Sequence, residues 1–372
     1  MSSQRSRFQI LPVALAAIML LALVASAGAV TKRGNAKANN IVGTAGADRL
    51  YGKAGNDSLR GLGGPDRLDG GGGRDRLSGG DGGDHLLGNI GDDVLFGGAG
   101  DDHADGAGGD DEVEGGAGND TLTGGAGRDH IDGGPGTDAI AGGSQADTLS
   151  GGTGDDTISG DAADDRISGG AGNDTLDGGA NEDRIDGGAG DDRIDGGDGS
   201  DVVYGGDGND FIAERLAAAD EHIDGGPGDD YIYTSGGPDR VIHGGDGNDV
   251  IRGGAQVAAR EDADQFGDGV SDGGPGNDIV LGGGANDILT GGDGDDVLYG
   301  GAGTDRYDCG PGNDVAYVQN VLEATVAAQL GCEKVVMGDP SVSDPHFDGL
   351  FGAYQAGKAA GGAAGQKLLD SL

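Results

Sequence analysis

From Gly43 to Ala213 the sequence divides, without a slip, into nineteen nine-residue units. They begin GTAGADRLY, GKAGNDSLR, GLGGPDRLD and GGGGRDRLS. Every unit has Gly at position one, Asp at position six and an apolar residue at position eight, such as Leu50, Leu59 and Leu68. A fixed nine-residue period means one small supersecondary unit stacked on itself, and it overrides any domain count drawn from the length of 372 residues. Glycines at positions one, two and four allow left-handed and other turn conformations that side chains forbid. The three residues after each aspartate, such as Arg49-Leu50-Tyr51 or Thr121-Leu122-Thr123, read polar, apolar, variable. That pattern predicts a very short strand with one inward side chain. Two units then form one coil of an all-β solenoid.

Gly and Pro number 88 and 9, a content that reads as disorder when it has no period. Here each glycine has an assigned place. The formal net charge of −43 excludes electrostatic binding to nucleic acid or to an anionic membrane surface. Such a chain stays solvated or collects cations, and strict spacing of the acids argues against plain disorder, which requires no register. Calcium takes six to eight oxygens from carboxylates and carbonyls. A glycine-rich turn ending in aspartate offers both. Neighbouring units lie on opposite edges of the coil, so the turn of one unit faces the turn two units later, and such a pair can sandwich an ion. On the order of 20 ions would fit between the turns and offset most of the negative surplus. One inward side chain per unit is too little apolar burial to offset the chain entropy of ordering the whole array. The metal-free chain is therefore expected to be expanded and the calcium-bound chain folded.

The termini and interruptions carry further expectations. Residues 1–27 read as a signal peptide: Arg5 and Arg7, an apolar run from Phe8 to Val24, then Ala25-Ser26-Ala27 as a cleavage site. The rival reading is a membrane anchor, since Phe8 to Val30 is long enough to span. Either way the repeats leave the cytoplasm, which places the protein outside the cell or at its surface. Residues 28–42 form a polar lead-in in which Asn39-Asn40-Ile41-Val42 is expected to start the first strand, and 43–213 form the main array. Residues 214–272 hold interrupted repeats, with a helical turn expected within Glu214–Asp224, an extra residue at His243 and an insertion over Ala255–Asp272. Five further units occupy 273–317. Residues 318–339 form a cap in which Val321, Val326, Leu330, Val335 and Val336 close the open end, and 340–372 form a loose tail. Cys309 and Cys332 are expected to form a disulfide in an exported chain, with two free thiols as the alternative.

GGAGNDTLT at Gly115, GGAGNDTLD at Gly169 and GGDGDDVLY at Gly291 resemble the hemolysin-type calcium-binding nonapeptide of RTX proteins, GGxGxDxUx. The resemblance spans about two thirds of the chain. It implies a right-handed parallel β-roll that holds calcium between successive turns through position-six aspartates and turn carbonyls. Carried onto this sequence, the ligands it implies are Asp48, Asp57, Asp66, Asp75, Asp84, Asp93, Asp102, Asp111, Asp120, Asp129, Asp138, Asp156, Asp174, Asp192, Asp201 and Asp210. Beyond the main array they are Asp230, Asp249, Asp278, Asp296, Asp305 and Asp314. Units with Gln145, Ala163, Asn181 or Ala285 at position four depart from the pattern, so their aspartates are left out.

Other chemistries are poorly supported. Gly269-Val270-Ser271-Asp272-Gly273 matches GxSxG, but in a polar insertion without the strand–turn–helix setting of a nucleophile elbow. Asp262 to Gly267 resembles the opening of an EF-hand loop, yet Phe266 and Gly273 fall where oxygen ligands are required. Arginines at position seven read as exposed ion pairs. The leading reading is a non-enzymatic, exported calcium-binding β-roll with a surface, matrix or adhesion role, with a cell-surface glycan among its candidate partners. The alternative is a calcium-dependent accessory module of an extracellular enzyme.

Overall fold

Stacking of the nine-residue units produces one continuous parallel β-roll. The computed structural model describes residues 28–214, 222–234, 241–253, 270–283, 286–319, 327 and 330–337. Among them, successive strands alternate between two parallel sheets of 17 and 15 strands. Each strand pairs with the next-but-one strand in sequence. Leu50 lies beside Leu68 in one sheet, and Leu59 beside Leu77 in the other. Two units therefore make one coil, as the period requires. Position-eight side chains from both sheets fill a thin interior, where Leu50, Leu59, Leu68 and Leu77 are fully buried.

The strands are longer than the expected three residues. Arg49–Ala54, Thr121–Ala126 and Thr175–Ala180 each run for six, through positions seven to nine and on through one to three of the next unit. The glycine at position one makes this possible, and it does so by leaving room. A Cβ on Gly124 would lie 2.4 Å from Oδ2 of Asp129 and 2.7 Å from the carbonyl oxygen of Gly142. The left-handed turn belongs to positions two and four alone, as at Gly125 (φ 106°) and Gly127 (φ 140°). This corrects the expectation that position one serves the turn.

The interruptions do not break the stack. Val202 pairs with His222, Ile223 with Ile242, and Val241 with Val270. Pairing between the flanking strands continues across each interruption. His222–Pro227 and Val270–Pro275 are strands, so Asp224 and Asp272 lie within the roll, not in insertions. Ile242 takes the inward place and His243 follows it as the ninth residue. The slip in phase thus lies before Val241 and not at His243. Burial of the larger apolar side chain decides the register, because a one-residue shift would turn Ile242 outward. The leader, the turn expected after Glu214 and the tail lie outside the described residues.

Both ends carry modified units. The lead-in already forms the first coil: Thr31–Arg33 pairs with Arg49–Tyr51, and Asn40–Val42 with Ser58–Arg60. Gly34 to Val42 is itself a nonapeptide with Asn39 in the aspartate's place. The backbone N–H of Asn39 donates to Oδ1 of Asp57 at 2.7 Å, and its side-chain amide donates to the same oxygen at 2.6 Å. At the other end, Lys334–Met337 pairs with Val315–Val318. Glu333 Oε2 accepts the N–H of Asp314 at 2.8 Å, where the next aspartate would stand. Cys309 and Cys332 are joined in a disulfide that ties this last strand's approach to the final unit. Ala327 is buried and Val335 packs against the core. Leu330, expected to close the end, is 37% exposed, and Val321 and Val326 lie outside the described residues.

Candidate metal centre

Each position-six aspartate ends a turn and immediately precedes a strand, which turns its carboxylate back into the coil. All 22 aspartates of the expected ligand set are buried, none more than 4% exposed. Their Oδ1 atoms form ladders. Asp48 N–H donates to Oδ1 of Asp66 at 2.7 Å, Asp120 to Asp138 at 2.7 Å, and Asp192 to Asp210 at 2.8 Å. On one edge this ladder runs unbroken to Asp314, crossing every insertion through the pairs Asp210–Asp230, Asp230–Asp249 and Asp249–Asp278. On the other edge, among the described residues, it is traced from Asn39 through Asp57 to Asp201 and again between Asp287 and Asp305.

The second carboxylate oxygen has a different environment. Oδ2 of Asp66, Asp120, Asp156, Asp192 and Asp278 is buried and accepts no hydrogen bond among the described residues. Burying a charged oxygen without compensation costs several kcal/mol, so such an atom needs a cation or a proton. Burial, only partly offset by the N–H donated from the preceding coil, raises the carboxyl groups accordingly. Asp84, Asp93 and Asp156 rise to about 6, Asp102, Asp147 and Asp192 to about 7, and Asp230 and Asp278 to about 8. Repulsion from aspartates on adjacent coils adds to the effect of burial at each of these eight.

Backbone carbonyls could supply the remaining oxygens. A Cβ on Gly152 would meet the carbonyl oxygen of Gly134 at 2.1 Å, and one on Gly154 would meet that of Gly136 at 1.7 Å. The carbonyls of positions two and four therefore point along the stack at the next turn. Among the described residues no three acidic, His or Cys side chains converge. A cation held here depends on one carboxylate per turn completed by main-chain oxygens, a donor set that suits a hard ion such as calcium and does not suit zinc.

Two features go beyond the expected ligand set. Asp147, Asp165, Asp183 and Asp287, left out of the expected set, lie in the same buried rows. Gln145, Ala163 and Asn181 adopt the left-handed conformation that glycine holds elsewhere, with φ of 81°, 101° and 85°. The turn geometry thus survives their substitution, at a local cost of order 1–3 kcal/mol each. A second, exposed ladder runs along position five. Asn119 N–H donates to Asp101 Oδ1, Asn209 to Asp191 and Asn313 to Asp295, each at 2.9 Å. Its sequence signal was the frequent Asn or Asp immediately before the position-six aspartate. Ser271 of the GxSxG match is an inward residue on a strand, 6% exposed and flanked by Ile242 and Leu289, and so is no exposed nucleophile.

The family model of the RTX calcium-binding nonapeptide repeat, four copies long, matches the chain repeatedly. Overlapping matches cover residues 33–212, and others cover 220–241 and 272–316. No curated protein matches the chain.

Proposed function

Because the chain belongs to the RTX calcium-binding nonapeptide repeat family, we propose that it is an exported, non-enzymatic protein whose β-roll is switched on by extracellular calcium for a surface or matrix role. It is a calcium-binding β-roll protein whose repeats take multiple ions. Bound calcium supplies the positive charge that the buried carboxylates lack and ties each turn to the next. The aspartates of the expected set other than Asp48, whose Oδ2 accepts the N–H of Thr44, would each offer Oδ2 toward that charge while Oδ1 stays in the ladder, and so would Asp147, Asp165 and Asp183. Position-two and position-four carbonyls would complete the shell. The observation that carries this reading is the row of buried Oδ2 atoms without a hydrogen-bond donor, as at Asp120, Asp156 and Asp192.

Export is supported by the leader pattern of residues 1–27 and by the disulfide between Cys309 and Cys332. Among the described residues no helix is long and apolar enough to cross a membrane. A non-enzymatic role is supported by the placement of Ser271 inside the coil. Fractionation of producing cells with amino-terminal sequencing tests export directly. The expected product lies in the medium or on the cell surface and begins near Gly28; a cytoplasmic product that retains residues 1–27 would contradict it. A hydrolase screen on the same calcium-loaded material is expected to show no turnover.

A further inference from the structure

Charge is distributed unevenly along the roll. Between Gly28 and Arg76 there are nine Lys and Arg residues, whereas from Leu77 to Ala213 there are four. In the first stretch the acids are Asp69 and the buried position-six residues Asp48, Asp57, Asp66 and Asp75. The first coils are therefore basic on the outside, in a chain whose formal net charge is −43. Protection of the open sheet end accounts for part of this surplus, since charged side chains there block pairing with another edge. Lys32 stands in register with the inward Leu50, and its ammonium donates to the carbonyl of Val42. Arg49 and Arg67 are not end residues. They lie on strands paired on both sides, Arg49–Ala54 and Arg67–Gly72, and face outward from the larger sheet. Register sets Arg49, Arg67, His85 and His103 in one row across four adjacent strands. At about 4.8 Å per strand the row is roughly 14 Å long. Arg49 stands directly opposite Arg67, an arrangement of like charges that costs stability. Among the described residues neither forms an ion pair. Asp69, on the same strand as Arg67, accepts instead from the side-chain amide of Asn89 at 3.0 Å. A second pair, Arg166 and Arg184, differs, because the strand of Arg184 also presents Asp186 and the guanidinium lies over Tyr204.

The chemistry of the row selects its occupant. Guanidinium forks match carboxylates through two parallel hydrogen bonds. Burial holds His85 below the usual imidazole range, and His103 and Arg67 add to the effect. At neutral pH its ring is therefore uncharged and offers one hydrogen-bond donor and one acceptor. With Asp105 two residues beyond His103, this end of the row suits hydroxyl groups. Two guanidinium groups followed by two imidazoles thus fit a narrow chain that carries both carboxylates and hydroxyls. Charges more than about 10 Å away are largely screened at 0.1 M salt, so a strand lying along the row senses the basic coils and not the acidic body of the roll. A bilayer facing this sheet would also meet Asp177 and Asp195, which lie on its later strands. Single-stranded nucleic acid binds by stacking its bases on open aromatic faces. Here Tyr51 lies beneath Arg33, and the rings of His85 and His103 pack edge to face at 4.5 Å.

We propose that the row Arg49, Arg67, His85 and His103 binds a linear acidic polysaccharide whose sugars carry carboxylates, laid across the strands of the first coils. The inference deepens the surface role proposed above and rests on it, because such polymers lie outside the cell. Calorimetry on the full calcium-loaded chain tests it, with a galacturonate hexamer as the probe. The hexamer is expected to bind, and its fully methyl-esterified form to bind about tenfold more weakly or less. An Arg49→Ser/Arg67→Ser variant is expected to lose about tenfold or more in affinity for the hexamer. An Arg49→Lys/Arg67→Lys variant keeps the charge without the fork and is expected to lose part of that affinity. An Arg166→Ser/Arg184→Ser variant is expected to bind as the wild type does. No binding by the wild type, equal binding of the ester, or wild-type affinity in either the serine or the lysine variant of Arg49 and Arg67 would overturn the proposal. An eight-nucleotide single-stranded DNA, or phosphatidylserine vesicles, binding as tightly as the hexamer would overturn it equally. A cytoplasmic product would refute the surface role while hexamer binding stood, whereas a chain without β structure in calcium would refute the folded roll, and the row with it.

Discussion

Withdrawing calcium at neutral pH is expected to unfold the roll. In excess chelator the β-sheet circular dichroism should collapse, and the radius of gyration should rise roughly twofold or more toward that of a denatured chain of this length. The cause lies in the interior. Each coil contributes two position-eight side chains, such as Leu50 and Leu59, to a core one residue thick. Against that stand two rows of buried carboxylates, repeated every coil at about 4.8 Å. Their Oδ1 atoms are satisfied by the ladder, but Oδ2 atoms such as those of Asp120 and Asp156 face no donor. Without a cation, ionised aspartates repel along the stack and lose hydration that the protein does not replace. Binding free energy is then folding free energy. Restoring calcium should recover the spectrum. A well-folded β spectrum that persists in chelator would show that the apolar core and the Asn/Asp ladders suffice.

Acid should substitute for calcium in part. A carboxyl whose pKa is raised by folding binds its proton more tightly in the folded state. That contribution is complete below the unfolded value near 4 and is lost as pH rises through the folded value. Here the folded values run from about 6 at Asp84 and Asp93, through about 7 at Asp102 and Asp192, to about 8 at Asp230 and Asp278. The metal-free chain should therefore hold most structure near pH 4–5 and lose it progressively between pH 6 and 8. Calcium loading has the opposite dependence, because its ligands must be deprotonated, so affinity should rise over the same window and loading should release protons. Circular dichroism against pH, with and without chelator, separates the two curves. A chelated chain that gains structure as pH rises would contradict the burial of these carboxylates.

Much of this architecture is legible in the sequence because the period is strict. Gly43 to Ala213 fixes the stacking, the coil of two units and the inward side chain, and Asp at position six marks the buried rows. The positions where the structure departs from the sequence reading each have a physical cause. Glycine at position one resembles a turn residue in composition, yet Gly124 is there because Asp129 and the Gly142 carbonyl leave no room for a Cβ. Strand length was understated for the same reason, since a run of glycines hides a paired strand. The phase slip before Val241 could be settled only by which of two adjacent apolar residues is inward. The start of a strand at Asn39 is legible, but its equivalence to the aspartate is not, because Asn39 breaks the one invariant of the repeat while keeping the ladder through its backbone N–H and side-chain amide. Asp147, Asp165 and Asp183 were discounted for lacking glycine two residues earlier, but Gln145, Ala163 and Asn181 reach the left-handed region nonetheless.

Calcium stoichiometry tests the central claim most directly. Calorimetric titration of the mature chain at neutral pH, checked by native mass spectrometry, is expected to saturate at on the order of 20 ions per chain, roughly one between each pair of facing turns. Folding monitored in the same titration should track occupancy. Saturation at fewer than about five ions, or folding complete before any ion binds, would contradict a roll held together by a cation at every turn.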